Sequence, residues 1–157
     1  MQLEIWSLGR DNKKHFAAAI DHYLKQLNHY NPAVLHTFQL SKKEATTDAA
    51  LMKAREGELI LKRLQPGQQL IVLDERGRQL TSPQWAQQLQ QYMNQSTRSL
   101  VFLIGGAYGV SDAVKAKAAQ MWSLGPLVFP HQLVRLILAE QLYRAFSILH
   151  GSPYHHE

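Results

Sequence analysis

Three glycines stand directly after the most strand-like segment of this chain, where a loop could bind a small molecule. Residues 100–104 are a run of apolar side chains, and Gly105, Gly106 and Gly109 follow them. Glycine lets the backbone approach a ligand closely and adopt positive φ angles. The loop lacks the six-residue dinucleotide fingerprint, and no Walker lysine and hydroxyl follow it, which argues against a nucleotide-phosphate cradle. The pattern indicates either another kind of ligand-binding loop or a tight strand-to-helix turn.

A second candidate ligand site is the segment 123–130, which contains two prolines and fits neither helical nor strand periodicity. Its backbone amide and carbonyl groups could pair with an adenine ring, and Leu124, Leu127 and Phe129 could supply apolar walls. A buried connector explains the same pattern equally well.

Charged side chains interrupt the apolar pattern of the segment 130–149. Glu140 and Arg144 stand four residues apart, a spacing at which a surface ion pair forms on a helix. Arg135 lies about half a turn away around the helix axis, so positive charge occurs on more than one face. A helix of this kind could contact both a second subunit and RNA.

The histidines do not have the spacing of a metal site. Four of them recur every seven residues, namely His15, His22, His29 and His36. Two helical turns would separate neighbours by about 10 Å along the axis, whereas two ligands of one ion are typically four residues apart on a helix. A solvated face explains them better. Tyr154, His155 and His156 lie at the carboxyl terminus, where a frayed tail is the simplest interpretation.

The composition limits the possible classes of function. The 157 residues are 45% hydrophobic, which suits one globular domain over 1–157. No cysteine is present, which excludes disulfides, thiolate nucleophiles and cysteine-bound metals. The absence of a basic leader and of an apolar run near 20 residues predicts a cytoplasmic protein without membrane spans. A net charge of +5 is compatible with an anionic partner such as nucleic acid.

The elements that must position the two loops alternate between strand and helix. Apolar runs or alternation predict strands over 3–8, 34–40, 70–73 and 100–104. Helical spacing predicts helices over 12–28, 48–64, 85–94, 111–120 and 130–149, the third starting with Ser82 as capping hydroxyl and Pro83 at the first helical position. This order predicts an α/β fold with a mostly parallel sheet and helices on both faces. Ligands of such sheets bind beyond the carboxyl ends of the strands, which selects the loops after Leu73 and Ile104.

Several segments together resemble one family. They are Leu73-Asp74, the loop 104–109, the segment 123–129, the stretches 130–135 and 140–145, and the ending 153–155. In combination they resemble the SPOUT-class RlmH (YbeA) methyltransferases over the whole chain. The resemblance implies a trefoil-knotted α/β fold, S-adenosylmethionine as cofactor and a homodimer. It also implies that the enzyme methylates N3 of a pseudouridine in helix 69 of 23S rRNA, on the assembled 70S ribosome.

The resemblance also assigns roles to residues. The cofactor-binding positions it implies are Leu73, Gly105, Leu124, Gly125, Pro126, Leu127, Val128 and Phe129. The catalytic positions are Arg144, Tyr154 and His155. RNA would be bound by Arg135, Arg144 and His156, the last standing where other members carry Arg or Lys.

Two side chains are candidates for the chemistry at N3, which carries a proton that must leave. His155, or a water held by it, is a candidate base, and Arg144 could stabilise negative charge on the carbonyl oxygens of the reacting base. Two other functions remain open on the sequence: a noncatalytic RNA-binding module, and a related methyltransferase that acts on tRNA.

Overall fold

The structure is a computed structural model that describes residues 1–9 and 15–155. Within these residues, five strands and five helices follow one another. The strands are β1 (Gln2–Leu8), β2 (Ala33–Phe38), β3 (Gln68–Gln79), β4 (Ser99–Ile104) and β5 (Gln120–Ser123). The helices are α1 (Ala17–Asn28), α2 (Ala49–Arg63), α3 (Ser82–Asn94), α4 (Asp112–Lys115) and α5 (His131–Leu149).

The strands form one parallel sheet in the order β2-β1-β4-β3-β5. Leu3 of β1 is aligned with Ala33 of β2 and with Leu100 of β4, so the three strands begin together at one edge. The predicted parallel α/β sheet is confirmed. All strands point the same way, so the loops after β3 and β4 emerge side by side.

Helices cover both faces of the sheet, as the alternating elements predict. On one face α1, α3 and α5 pack over a core that includes Phe102 and Trp122. On the other, α2 and α4 pack over a core that includes Val101 and Leu103. Every residue of β4 is buried because side chains of this central strand meet helices on both sides. No helix of the described residues has the length and apolar character needed to cross a membrane.

Side chains cap both α2 and α3, and the cap predicted for α3 is shifted by one residue. Asp48 caps α2, its carboxylate accepting the Leu51 N–H at 2.7 Å. The sequence predicts Ser82 as the cap of α3, but Thr81 holds that position and forms a reciprocal capping box with Gln84. The reason is that Gln84 stands three residues after Thr81, the spacing that a capping box requires.

The prediction of one helix over 111–120 is wrong. Helix α4 ends at Lys115, and β5 then pairs with β3 from Gln120 onward. Strand β3 also continues past Asp74 to Gln79, with an irregularity between Leu73 and Arg78. This irregularity turns the chain beside the two candidate ligand loops.

Candidate active site

A cavity of about 550 Å³ lies where the irregularity of β3 after Leu73 adjoins the carboxyl end of β4. Three separate segments of the chain wall it: the turn after Leu73, the glycine loop after Ile104, and the irregular segment before α5. Seven of the eight positions that the resemblance assigns to the cofactor line this cavity, namely Leu73, Gly105, Leu124, Gly125, Leu127, Val128 and Phe129. Pro126 is not among the lining residues. The sheet thus brings together residues that are up to 56 positions apart, from Leu73 to Phe129.

The glycines of the loop after β4 are required for different reasons. A Cβ atom at Gly105 would lie 2.6 Å from Cγ2 of Val110, and one at Gly106 would overlap the carboxyl group of Glu56. Gly109 has a φ of +79°, in the left-handed region that other residues rarely adopt. Its N–H donates to the Gly106 carbonyl at 3.0 Å and closes the loop. The close approach of backbone to neighbouring side chains shapes this wall of the cavity.

The segment before α5 forms the outer lip of the cavity. The Ser123 hydroxyl accepts the Gly125 N–H at 3.0 Å, and Gly125 has a φ of +138°. The chain then turns outward, leaving Leu127 67% exposed and Val128 89% exposed. Two neighbouring apolar side chains so exposed at the mouth of a cavity indicate a surface that something else covers.

An ion pair forms part of the cavity wall next to Leu73. Lys115 Nζ lies 2.6 Å from Asp74 Oδ2, and the Arg76 N–H donates to Asp74 Oδ1 at 3.0 Å. Burial alone would raise the pKa of Asp74. The hydrogen bonds and the charge of Lys115 outweigh burial and hold this pKa below its usual value. Asp74 is therefore ionised at neutral pH.

His131 lines the opposite wall at the start of α5. Burial lowers the pKa of His131 below its ordinary value, and the nearby positive charge of Arg135 lowers it further. The imidazole is therefore neutral at neutral pH, and it adds no positive charge to this side of the cavity.

The structure does not place Arg135 on an RNA-facing surface, contrary to the expectation from the sequence. Its side chain is 1% exposed, and its Nε donates to the Ser7 hydroxyl at the end of β1 at 2.7 Å. Helix α5 is apolar on several faces, so helical periodicity alone does not reveal which side packs on the sheet. Arg135 therefore connects α5 to β1 inside the protein.

The three residues assigned to catalysis lie together but away from the cavity of their own chain. Arg144 donates to Glu140 Oε1 from Nη2 at 2.6 Å, and Tyr154 donates to the same oxygen at 3.0 Å. His155 follows, and neither of its ring nitrogens, both buried, has a hydrogen-bond partner within residues 1–9 and 15–155. Val134 lines the cavity, and Arg144 comes ten residues later on α5. At 1.5 Å per residue, this separates them by about 15 Å along the helix axis.

Two pKa values in this cluster of Glu140, Arg144 and Tyr154 follow from the contacts. Burial and the hydrogen bonds with Tyr23 and Glu140 raise the pKa of Tyr154, so its phenol is neutral at neutral pH. Burial would lower the pKa of Arg144, but the hydrogen bond and charge of Glu140 raise it. Tyr154 is therefore suited to donate a hydrogen bond. The predicted RNA contact His156 lies outside the described residues.

Sequence reasoning missed one buried acid at the site. Glu56 of α2 is 5% exposed and lies against Gly106. A signal was available, because Met52, Glu56 and Ile60 occur at intervals of four residues, which puts Glu56 in the stripe of α2 that faces the sheet. Lys53 and Lys115 also line the cavity and were not predicted. Among residues 1–9 and 15–155, no three His, Asp or Glu side chains form a group that could hold a metal ion.

Comparison with known proteins agrees with this architecture. A family model described as "Predicted SPOUT methyltransferase" matches residues 1–155. A protein of Parabacteroides distasonis named "Ribosomal RNA large subunit methyltransferase H" is 41% identical over 157 residues, covering 100% of both chains. A protein of the same name from Geotalea daltonii is 42% identical over 156 residues, covering 99% of this chain and 100% of that one.

A solved structure has a similar fold. It is described as "a probable methylase family protein from Haemophilus influenzae Rd KW20" and superposes with a TM-score of 0.53 at 12% sequence identity. The match covers 95% of this chain and 66% of that chain, and at this identity it supports the fold alone. The full-length relatives confirm the resemblance to the RlmH methyltransferases. The chain therefore belongs to the SPOUT family of methyltransferase enzymes.

Proposed function

We propose that this enzyme uses S-adenosylmethionine to methylate N3 of a pseudouridine in helix 69 of 23S rRNA, on the assembled 70S ribosome. The observation that carries the proposal is the cavity beside β3 and β4, where the turn after Leu73, the glycine loop after β4 and the segment before α5 meet. The full-length relatives named as ribosomal RNA methyltransferases support the choice of substrate. Ribosomes are cytoplasmic, so the proposal includes a cytoplasmic enzyme.

The cavity fits S-adenosylmethionine in size and in chemistry. Pockets for ligands of this size commonly measure about 300–1,000 Å³ and combine apolar walls with a few placed polar groups. Here Leu73, Leu124 and Phe129 supply apolar walls, and the glycine loop offers backbone groups without side chains in the way. The charged pair Asp74–Lys115 adds polar groups. When bound, the cofactor supplies a methyl group on a positively charged sulfur.

A homodimer is part of the proposal because the cavity and the Glu140–Arg144–Tyr154 cluster are separated within one chain. The exposed lip of Leu127 and Val128 offers an apolar surface to a second copy. We expect the dimer to bring Tyr154 and His155 of one subunit to the cavity of the other. The trefoil knot implied by the resemblance also belongs to the proposal, with the segments around β5 and α5 forming it.

Residue roles follow from the surroundings of each side chain. The ring nitrogens of His155 have no partner among the described residues, so one of them is available to accept the N3 proton, directly or through a water. Tyr154 is neutral, and its hydroxyl, which donates its proton to Glu140, can still accept a hydrogen bond from the substrate. Arg144 has a fixed position and stabilises negative charge on the carbonyl oxygens of the reacting base. Arg144 and His156 remain the proposed RNA contacts. Arg135 is left out because it is buried.

The test uses purified protein, methyl-labelled S-adenosylmethionine, and 70S ribosomes or free subunits from cells that lack this enzyme. Mass mapping locates the label. Label at N3 of a helix 69 pseudouridine in 70S ribosomes supports the proposal. Label elsewhere, including tRNA, retains the cofactor and overturns the substrate. Binding of RNA without binding of S-adenosylmethionine favours a noncatalytic module. For the base, His155→Ala with unchanged single-turnover rates at every pH would rule His155 out.

A further inference from the structure

A buried carboxyl group supports one wall of the cavity without lining it. Glu56 is 5% exposed, and its Oε2 atom is buried without a hydrogen-bond partner among the described residues. A carboxyl group placed this way in a protein interior is usually paired or coordinated, because transfer from water without compensation is costly. The position is therefore unusual for a glutamate with only a structural role.

The same carboxyl group lies directly against the glycine loop. A Cβ atom at Gly106 would meet both carboxyl oxygens of Glu56, with Oε1 at 2.7 Å. A Cβ atom at the next residue, Gly57, would overlap the side chain of Ser111, which caps α4. Helix α2 is thus tightly packed on both ends of the loop 105–111. The Glu56 carboxyl therefore acts directly on the backbone of that loop.

Among residues 1–9 and 15–155, no cation forms an ion pair with Glu56. On α2, Lys53 lies one turn earlier and lines the cavity. On α4, Lys115 is paired with Asp74, and Asp112 is itself acidic. The loop itself contributes Tyr108, which is 47% exposed. Burial raises the pKa of Glu56 above its ordinary value, which favours the neutral acid.

We propose that Glu56 is a positioning residue: as a neutral carboxylic acid it holds the loop 105–109 in the shape that binds S-adenosylmethionine, and its ionisation displaces the loop. The inference rests on the proposed function, in that the cavity binds this cofactor. A carboxylate at this place must gain water or a cation, and either requires α2 and the loop to separate. Binding of the cofactor and binding of one proton at Glu56 are then linked.

The coupling between cofactor binding and proton binding determines how the dissociation constant changes with pH, and by how much at most. If the bound form retains the proton, the dissociation constant stays level below the Glu56 pKa of the free protein. Above that pKa it rises by up to about tenfold for each pH unit. Glu56→Gln is nearly isosteric with the neutral acid and cannot ionise. The dissociation constant of the Glu56→Gln variant should equal that of the natural protein at low pH within about threefold. It should not rise with pH as that of the natural protein does.

The experiment measures S-adenosylmethionine binding by calorimetry from about pH 5 to about pH 8.5. Glu56→Gln is compared with the natural protein, and Glu58→Gln serves as matched control. Glu58 lies on the same helix with its side chain 70% exposed, and it forms an ion pair with Lys62 at 3.9 Å. The control should keep the natural pH profile. His131 also titrates beside the cavity, but it is unchanged in all three proteins.

A second measurement uses the natural protein without cofactor. The amide NMR shifts of Gly106 and Gly109 should titrate with the Glu56 carboxyl, and the titration should disappear in Glu56→Gln. This readout remains available if the variant folds poorly, because the carboxyl carbon shift of the natural protein reports the pKa directly.

A flat binding profile for the natural protein, or an unchanged profile in Glu56→Gln, overturns the inference. A carboxyl that titrates at the ordinary value of a glutamate overturns it as well. Failure of the natural protein to bind S-adenosylmethionine at any pH overturns the proposed function instead. In that case the glycine amide shifts still decide whether Glu56 controls the loop.

Discussion

The guanidinium carbon of Arg144 lies 4.7 Å from the centre of the Tyr154 ring. The same guanidinium is held by Glu140, whose Oε1 atom also accepts the Tyr154 hydroxyl. Tyr154 further stacks at a tilt on Tyr143, with ring centres 4.6 Å apart. Three kinds of contact therefore hold the carboxyl-terminal tail on α5. His155 is consequently next to an anchored residue, whereas the sequence alone predicts a frayed end.

Replacing Tyr154 separates the hydroxyl contacts from the ring contacts. Tyr154→Phe removes the bond to Glu140 but keeps the ring over Arg144, so unfolding free energy should fall by only about 0.5–1.5 kcal/mol. Tyr154→Ala also removes the cation–π contact and should cost more. Urea denaturation measures both, and single-turnover methylation should decline in the same order. Equal stabilities of the two variants would show that the ring does not anchor the tail.

The location of the cavity could be predicted from the sequence, whereas most of the polar residues around it could not. Apolar β4 is buried on both faces, and the rule for parallel sheets then selects the loops after Leu73 and Ile104. Strand β5 was missed because it has only four residues and includes polar Gln120 and Ser123. Its pairing with β3 comes from distant parts of the chain, which local patterns do not report.

The wrong prediction at Arg135 and the failure to single out Glu56 have a common origin. Charged residues are predicted at the surface because isolated charges are costly to bury. The cost of burying Arg135 is compensated by contacts that include the Ser7 hydroxyl, which is 128 residues away in the chain. For Glu56 the cost is reduced because burial favours the neutral acid. Neither compensation can be deduced from sequence spacing, because each depends on which elements the sheet brings together.

The hydrogen bond between Arg135 and Ser7 should stabilise the folded protein, although neither residue lines the cavity. Ser7→Ala removes the acceptor of the Arg135 Nε, in a fully buried environment, and should cost about 1.5–3 kcal/mol. Chemical denaturation measures the cost. Ser147→Ala is a suitable control, because Ser147 is also fully buried but donates to a backbone carbonyl one turn earlier on its own helix. A cost for Ser7→Ala no larger than for the control would contradict the prediction.

Alanine at Gly106 and alanine at Gly109 should both destabilise the protein, but for different reasons. The added Cβ at Gly106 overlaps the Glu56 carboxyl, an overpacking error that costs about 1–3 kcal/mol. Nothing lies within 4 Å of a Cβ at Gly109, where the cost is the left-handed backbone alone, about 1–2 kcal/mol.

A double mutant tests the cause of the Gly106 effect. Glu56→Ala in the Gly106→Ala background removes the overlapping carboxyl, so the combined cost in thermal unfolding should be smaller than the sum of the two single costs. As a control, Glu58→Ala on the exposed face of the same helix should add simply to Gly106→Ala. If both pairs are additive, the carboxyl is not the obstacle.

The Asp74–Lys115 pair predicts a pH-dependent stability with a definite sign. The pKa of Asp74 is lowered in the folded protein, so the pair contributes stability above the unfolded-state pKa and loses it as pH falls through the folded-state pKa. Lys115→Met keeps the apolar stem but leaves the buried carboxylate without its cation. The free energy of unfolding of the variant should be lower by about 1–3 kcal/mol at neutral pH. Because Lys115 is partly exposed, the loss should be smaller than for a fully buried ion pair.

The pH dependence of that loss separates charge from packing. Below about pH 4, where Asp74 is protonated in the variant and increasingly so in the natural protein, the difference between them should shrink towards zero. Urea unfolding at a series of pH values measures it. Lys117→Met is a control for the loss of a nearby positive charge, because no ion pair of Lys117 occurs among the described residues. Removing this charge should change the free energy of unfolding little at any pH. A deficit in Lys115→Met that persists undiminished in acid would mean that the Lys115 side chain acts through its packing and not through its charge.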